Sequence, residues 1–377
     1  MALQESVAAL TLSTAPLFKP LQIGSLSLPN RIVMAPMTRW RSPDGVPGPD
    51  VAAYYRRRAE NDCGLIITEG TTIDHPVASQ HGDTPRFHGE ALAGWRRVLK
   101  EVHGAGGRIM PQIWHVGLMR PREGNVPNVE MPAAGPSGLR KPGKKIAEPM
   151  TKEDIRAVVR AYAEAAGAAQ NMGFDGVEIH AAHGYLIDQF FWGEVNLRDD
   201  EYGGDLVQRT RFAVEVVEAI RRETGPDFPI VFRYSQWKQQ DYSVKMARTP
   251  TELGAFLAPL SAAGVDVFHC SQRRFWEPEF EGSTLNLAGW TKRLTGKPVI
   301  TVGSVGLSGE FMSDLYEGGS SVPASLDGLL GRMNADEFDL VAVGRVMIAD
   351  AEWARKIKQG RFSELKPFDR SALDTLI

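Results

Sequence analysis

Apolar residues fall along this chain in short runs separated by amphipathic segments of helical length. The clearest run is Gly176-Val177-Glu178-Ile179-His180-Ala181-Ala182-His183-Gly184-Tyr185-Leu186, where β-branched Val177 and Ile179 alternate with Glu178 and His180. A period of two predicts a strand with His180 at its carboxyl end and His183 and Tyr185 on the turn that follows. Further strands are predicted over residues 31–36 (stopped by Pro36), 65–69, 108–114, 230–234, 265–271, 298–302 and 340–343.

Between these runs the spacing turns helical. Helices are predicted over 50–61, 91–105, 211–224 (closed by Gly225) and 350–360. Thr151 caps another, with apolar residues at Ile155, Val158, Val159, Tyr162, Ala166, Ala169 and Met172. Thr249-Pro250-Thr251-Glu252 reads as a capping box with proline at the first helical position. The arginines at 56–58 read as a solvated helix face. Residues 17–29 predict a small hairpin covering one end of the fold, 120–149 a long loop, 237–248 a polar insertion, and 1–16 a loosely attached arm. Strands and helices in one rhythm from end to end predict a single α/β domain over 17–377, a (β/α)8 TIM barrel with an N-terminal hairpin lid and a long loop after its third strand. Two doubly wound domains would need a G-x-G-x-x-G turn after a strand, and Val302-Gly303-Ser304-Val305-Gly306 is too short for one.

Composition narrows the class without naming the chemistry. A hydrophobic content of 43% with 24% charged residues is that of an ordinary globular enzyme. The net charge of −3 gives no electrostatic case for nucleic acid or an anionic membrane surface. No apolar run reaches the roughly 18 residues of a spanning helix. No positive charge precedes Lys19 and no long apolar core follows, so a signal peptide is not expected. The two cysteines, Cys63 and Cys270, sit in unrelated contexts, which points to free, buried thiols and a cytoplasmic setting.

Chemistry enters at the carboxyl ends of the predicted strands, where a barrel does its work. These ends carry Thr38, Gly70, Gln112 with Trp114, His180 with His183, Arg233, Ser271, Gly303, and Gly344 with Arg345. Gln112 can both donate to and accept from a planar heterocycle, and Arg233 can stabilise negative charge on it. Glycines after the last two strands, with Arg345, match the usual barrel phosphate site. A phosphorylated heterocycle, FMN above all, fits both halves. His180-x-x-His183 on a strand end, with no cysteine or carboxylate placed to complete a shell, is a poor metal pair, and no metal is expected. Taken alone, Tyr185 reads as a packing residue, and Arg233 could instead pair with Glu178 or Glu69.

Several motifs together carry a resemblance to a known family. They are Met34-Ala35-Pro36-Met37-Thr38-Arg39, Ile67-Thr68-Glu69-Gly70, Gln112-Ile113-Trp114, the His-Ala-Ala-His-Gly-Tyr-Leu run, Asp200-Glu201-Tyr202-Gly203-Gly204, and Gly344-Arg345. In this order, from Leu17 to about Arg361, the chain resembles the old yellow enzyme family of FMN-dependent ene-reductases and NAD(P)H:flavin oxidoreductases. The resemblance implies that Ala35, Pro36, Met37, Thr38, Gly70, Gln112 and Arg233 line the flavin, with Thr38 at O4 and Arg233 near N1 and O2. It implies that Gly303, Ser304, Gly306, Gly344 and Arg345 hold the phosphate. NADH or NADPH would be the reductant, and hydride would pass from flavin N5 to the β-carbon of an activated alkene. His180 and His183 would hold the activating carbonyl or nitro oxygen, and Tyr185 would supply the proton. A small-molecule substrate and a homo-oligomer are the partners implied.

Two departures bear on substrate. Thr38 stands where one branch of the family carries a cysteine. The segments 234–242 and 272–277 differ from the best-known ene-reductases, and place Trp237, Phe275 and Trp276 beside Trp114 as expected pocket walls. Trp237, Trp276, Tyr242 and Phe275 could instead form a cage for a cationic nitrogen, the basis of an alternative, oxidative amine demethylation. The sequence holds no cysteine cluster for an iron–sulfur centre, so that route would need a separate electron acceptor. A non-catalytic flavin-binding protein is a third class, and the full set of catalytic side chains argues against it.

Overall fold

Eight parallel strands close into a barrel in the computed structural model, which describes residues 11–309 and 319–377. In chain order they are β1 (Ile32–Met34), β2 (Leu65–Thr72), β3 (Ile109–Trp114), β4 (Val177–His183), β5 (Ile230–Lys238), β6 (Val267–Ser271), β7 (Val299–Val302) and β8 (Leu340–Val343). Each strand pairs with the next and β8 pairs back to β1, Ala342 opposite Val33. The principal flanking helices are α1 (Pro49–Glu60), α2 (Ala91–Gly104), α3 (Lys152–Met172), α4 (Leu186–Phe191), α5 (Arg211–Thr224), α6 (Pro250–Ala263), α7 (Leu287–Thr295), α8 (Asp327–Asn334), α9 (Arg345–Ala349) and α10 (Trp353–Lys358).

The alternation of the strands sorts their side chains into two cores. Ile32, Ile66, Ile109, Val177, Ile179, Phe232, Phe268 and Val341 face outward and pack with the helices. Val33, Ala35, Leu65, Ile67, Met110, Val231, Val267, Ile300, Leu340 and Ala342 face inward and fill the barrel as a plug. Ile23, Leu26 and Leu28 cap that plug from the antiparallel hairpin Leu21–Ile23/Leu26–Leu28, the lid expected from the sequence. Toward the carboxyl ends the inward positions of β3 to β6 turn polar: Gln112, Glu178, His180, Arg233, His269 and Ser271. The register sets Gln112 opposite Glu178, His180 opposite Arg233, and Arg233 opposite His269. An apolar plug with a polar lid of its own strands is a site, because buried polar groups need partners that this core does not fully supply.

Local chemistry explains most boundaries. Thr151 and Asp154 form a reciprocal capping box at the start of α3. Thr249 accepts from Glu252 N–H at 3.1 Å to start α6, but the Glu252 carboxylate turns back to Arg248 N–H at 2.6 Å, so only half of the expected box forms. The helix expected over 350–360 forms over the shorter span Trp353–Lys358, because Asp350 turns extended after the separate helix Arg345–Ala349 and its carboxylate takes the Lys356 ammonium at 2.8 Å. The loop expected over 120–149 contains a small hairpin, Leu139–Lys141/Lys144–Lys145, reversed at Pro142-Gly143 with Gly143 at φ 73°. The arginine run is a solvated face only in part. Arg56 is exposed beside Glu60 and Glu101, whereas Arg58 is 1% exposed and stacks over the Tyr54 ring at 3.8 Å. Of the expected arm, residues 1–10 lie outside the described residues, and the Thr11 and Leu12 N–H groups donate to the Asp327 carboxylate at 2.9–3.1 Å.

Candidate active site

β4 runs further than its apolar alternation predicts, to His183, because a register shift between Ala181 and His183 lets it keep pairing with the extended end of β5. The shift leaves His183 at φ 65°, in a left-handed conformation that a histidine adopts only when its surroundings hold it there. Gly184 follows at φ 78°, a left-handed conformation that favours glycine, and a Cβ there would also displace the Gln240 amide, which lies 1.9 Å from its position. Tyr185 then caps the short helix α4. Asp188 of that helix accepts from Gly184 N–H at 2.6 Å and pairs with Lys238 of β5, both side chains being fully buried. Burial raises the Asp188 pKa, and the Lys238 charge opposes that rise. The turn bearing His183 and Tyr185 is thus pinned from below by an ion pair.

The expected catalytic residues converge. The His180 ring lies edge-on to His183 and to Tyr185, each at 5.0 Å, and stacks on Trp114 at 5.8 Å. Trp237 stacks on His183 at 4.6 Å. Burial holds both imidazoles well below their usual pKa, and the Arg233 guanidinium adds to the effect, so both are neutral near pH 7. The Gln239 amide donates to Tyr185 Oη at 3.2 Å.

Beneath them the expected cofactor residue Gln112 joins two residues that the sequence reading gave no role in the site, Glu178 and His269. Glu178 accepts from Gln112 Nε2 at 2.7 Å and from His269 Nδ1 at 2.6 Å, all inside the barrel. The signal was available: Glu178 and His269 are polar residues at inward positions of otherwise apolar strands. Because a carboxylate only accepts, the Gln112 amide must turn its NH2 toward Glu178. Arg233 makes no ion pair with Glu178 or Glu69; its Nη2 donates to Ser271 Oγ at 3.3 Å, and burial lowers its pKa.

Other expected cofactor residues gather around this layer. Met37 and Thr38 follow β1 on an accessible loop. Arg39 and Trp40, the next residues, donate their N–H groups to the buried Glu69 carboxylate at 2.8 and 3.3 Å. Gly70 is packed so closely that a Cβ would lie 2.5 Å from the Trp114 indole. After β7, Gly303, Ser304 and Gly306 have φ of 148°, 50° and 74°, a turn of the kind that gathers backbone N–H groups around an anion. A Cβ on Gly303 would lie 2.8 Å from the Gln272 carbonyl oxygen, and Arg345 Nη2 donates to Ser304 Oγ at 3.1 Å. FMN fits this donor set. Arg233 Nε and Trp114 Nε1 are buried donors without a partner, and the glycine turn with Arg345 lies where a barrel binds phosphate.

Of the expected pocket walls, Trp114 and Trp237 touch the histidines, while Phe275 packs into the outer core with half-exposed Trp276 edge-on to it at 5.1 Å. Among the described residues no three His, Cys, Asp or Glu side chains gather to hold a metal, and no helix is long and apolar enough to cross a membrane. Burial pushes the thiols of Cys63 and Cys270 up to about 12, so neither is reactive.

Residues 16–316 match the NADH:flavin oxidoreductase / NADH oxidase family. This chain belongs to the old yellow enzyme family. Among curated relatives, 12-oxophytodienoate reductase 2 of Arabidopsis thaliana is 36% identical over 282 residues, 72% of this chain and 74% of that protein. The NADH oxidase of Thermoanaerobacter brockii is 34% identical over 360 residues, 93% of this chain, which spans only 52% of that protein. The structure of morphinone reductase in complex with tetrahydroNAD aligns with a TM-score of 0.78 at 30% identity, over 95% of this chain and 93% of the other. The old yellow enzyme homologue of Zymomonas mobilis aligns at 0.77 with 27% identity, over 96% of each chain. Like its family, this old yellow enzyme is an oxidoreductase that takes FMN and NAD(P)H.

Proposed function

We propose that this old yellow enzyme reduces the C=C bond of α,β-unsaturated carbonyl or nitro compounds, with His180 and His183 holding the activating oxygen and Tyr185 delivering the proton. The observation that carries the reading is the convergence of those rings beside Trp114, above a polar layer with unpartnered donors. FMN, when bound, supplies the hydride chemistry. The remaining demands fall on side chains. As the alkene takes a hydride at its β-carbon, negative charge grows on the activating oxygen, and two neutral imidazole N–H donors stabilise it in a site shielded from water. Tyr185 gives its hydroxyl proton to the α-carbon, and the Gln239 amide, donating to the same oxygen, stabilises it once the proton has gone. The indoles of Trp114 and Trp237 fix the ring planes of the two histidines.

The oxidative alternative finds less support. Its four aromatic rings form two separate pairs, Trp237 with Tyr242 and Phe275 with Trp276, and the Arg273 guanidinium already covers Tyr242 at 4.8 Å. Protein bleached anaerobically with NADH or NADPH is expected to regain its flavin spectrum on adding an enone, a maleimide or a nitroalkene. In Tyr185→Phe, bleaching by NAD(P)H should persist while turnover of weakly activated enones falls by roughly 100-fold. Failure of all three acceptors, or bleaching by N-methylated amines alone, would remove the reading.

A further inference from the structure

We propose that Ser235, Trp237 and Ser271 form a clamp that holds His183 in one orientation and one tautomer, leaving Nδ1–H as the donor it offers to a substrate oxygen. The inference rests on the reading of His183 as an oxygen-binding residue and adds how that residue is set.

The contacts form a closed ring across three strand ends. His183 N–H donates to Ser235 Oγ at 3.0 Å, and Ser235 Oγ in turn donates to the Trp237 carbonyl at 2.8 Å. The Trp237 indole lies 4.6 Å from the imidazole with its plane inclined by only 18°, and its Nε1 donates to the Ser271 carbonyl at 3.2 Å. Ser271 Oγ closes the ring 2.7 Å from His183 Nε2. The backbone, one face and one nitrogen of His183 are each held by a different residue. That accounts for a histidine kept at φ 65° just past a register shift.

Proton bookkeeping then selects the tautomer. A guanidinium only donates, so Ser271 Oγ accepts from Arg233 Nη2. The single hydroxyl hydrogen of Ser271 is therefore free for His183 Nε2, which must accept it as a lone pair. The opposite arrangement, Nε2–H donating to Ser271, would leave that hydrogen without an acceptor in a residue 3% exposed. A bare Nε2 on a neutral ring puts the proton on Nδ1. Neutrality follows from burial and from the positive or polar groups facing the ring: Arg233 and Lys238 of β5, His269 of β6, and His180 of β4. His180 is set the other way. Its Nδ1 accepts from Ala182 N–H at 3.3 Å, which leaves Nε2–H as its donor. The two histidines thus present different ring nitrogens to one oxygen, and Ser271 is a positioning residue that ties the Arg233 charge to the substrate-binding imidazole.

The test is long-range 1H–15N spectroscopy of the FMN-loaded protein with 15N-labelled histidine, His183 being assigned by its loss in His183→Asn. Wild type and Ser271→Thr, which keeps the hydroxyl, should show His183 in the Nδ1–H form. Ser271→Ala should show Nε2–H or a mixture, with KM for an enone raised roughly tenfold. A wild-type Nε2–H form, or an unchanged tautomer in Ser271→Ala, overturns the clamp. A changed tautomer with an unchanged enone KM would uphold the clamp and instead remove His183 from oxygen binding, so the two failures are distinguishable.

Discussion

Glu69 shows what burial alone does to a single carboxyl at the edge of this site. It is 2% exposed, and burial pushes it up to about 7 even though Arg39 and Trp40 donate their N–H groups to it. An unfolded glutamate titrates near ~4.3. Between those values the folded chain holds a proton that the unfolded chain has released, so stability falls as pH rises through that window and levels off above it. Glu69→Gln keeps an acceptor for the two N–H groups and cannot ionise. Its melting temperature is therefore expected to lose part of the decline that the wild type shows between about pH 4.5 and 7. An equal decline in both proteins would mean that the carboxyl does not carry the effect. The residue also marks a limit of sequence reading. Glu69 stands inside a recognisable motif, but only the fold shows that its buried carboxyl holds the backbone of the loop that carries Thr38.

At the scale of elements, the joint between the β4 turn and the end of β5 decides whether His183 and Tyr185 meet. The sequence reading ended β5 at Tyr234 and took 237–248 as a polar insertion, because Ser235, Gln236 and Lys238 break the apolar pattern. Those residues stay in the strand because each has a specific partner: Ser235 holds His183, Gln236 exchanges bonds with Ala247, and Lys238 pairs with Asp188. Polar strand residues look like loop when their partners lie far away in the chain. The same reason hid α4, too short for a helical period. Lys238→Met is expected to destabilise the protein by about 3–5 kcal/mol, since it strands a buried carboxylate. Adding Asp188→Asn should recover part of that loss, because the second change removes the orphaned charge. Denaturant unfolding of the two variants checks this; a double variant no better than the single would place the cost in packing instead.

Across the whole molecule, the barrel was legible because its two signals repeat: short apolar runs at eight strands and helical spacing between them. The site was legible because a barrel puts all strand ends on one face, so Gln112, His180, Arg233 and Ser271 could be brought together without knowing any distance. Contacts between the ends of the chain left no such periodic trace. Residues 372–377 run back over the loop after β1 and over α1, where four arginines take their carbonyls. Arg39 Nη2 donates to Thr375 at 2.6 Å, Arg41 Nη2 to Asp374 at 2.6 Å, Arg57 to Leu376, and Arg58 to Ile377. Arg39 and Arg58 flank the Tyr54 ring and are nearly buried, so their charges need these acceptors. Arg39 adjoins Thr38, which links the tail to the loop expected at the flavin. Deleting residues 370–377 is therefore expected to do two things at once. It should lower the melting temperature, by roughly 3 °C if about 2–3 kcal/mol is lost. It should also weaken retention of FMN, read as free flavin fluorescence on dilution. A lower melting temperature with unchanged FMN affinity would confine the tail to stability, and no change in either would mean that water replaces the carbonyls without cost.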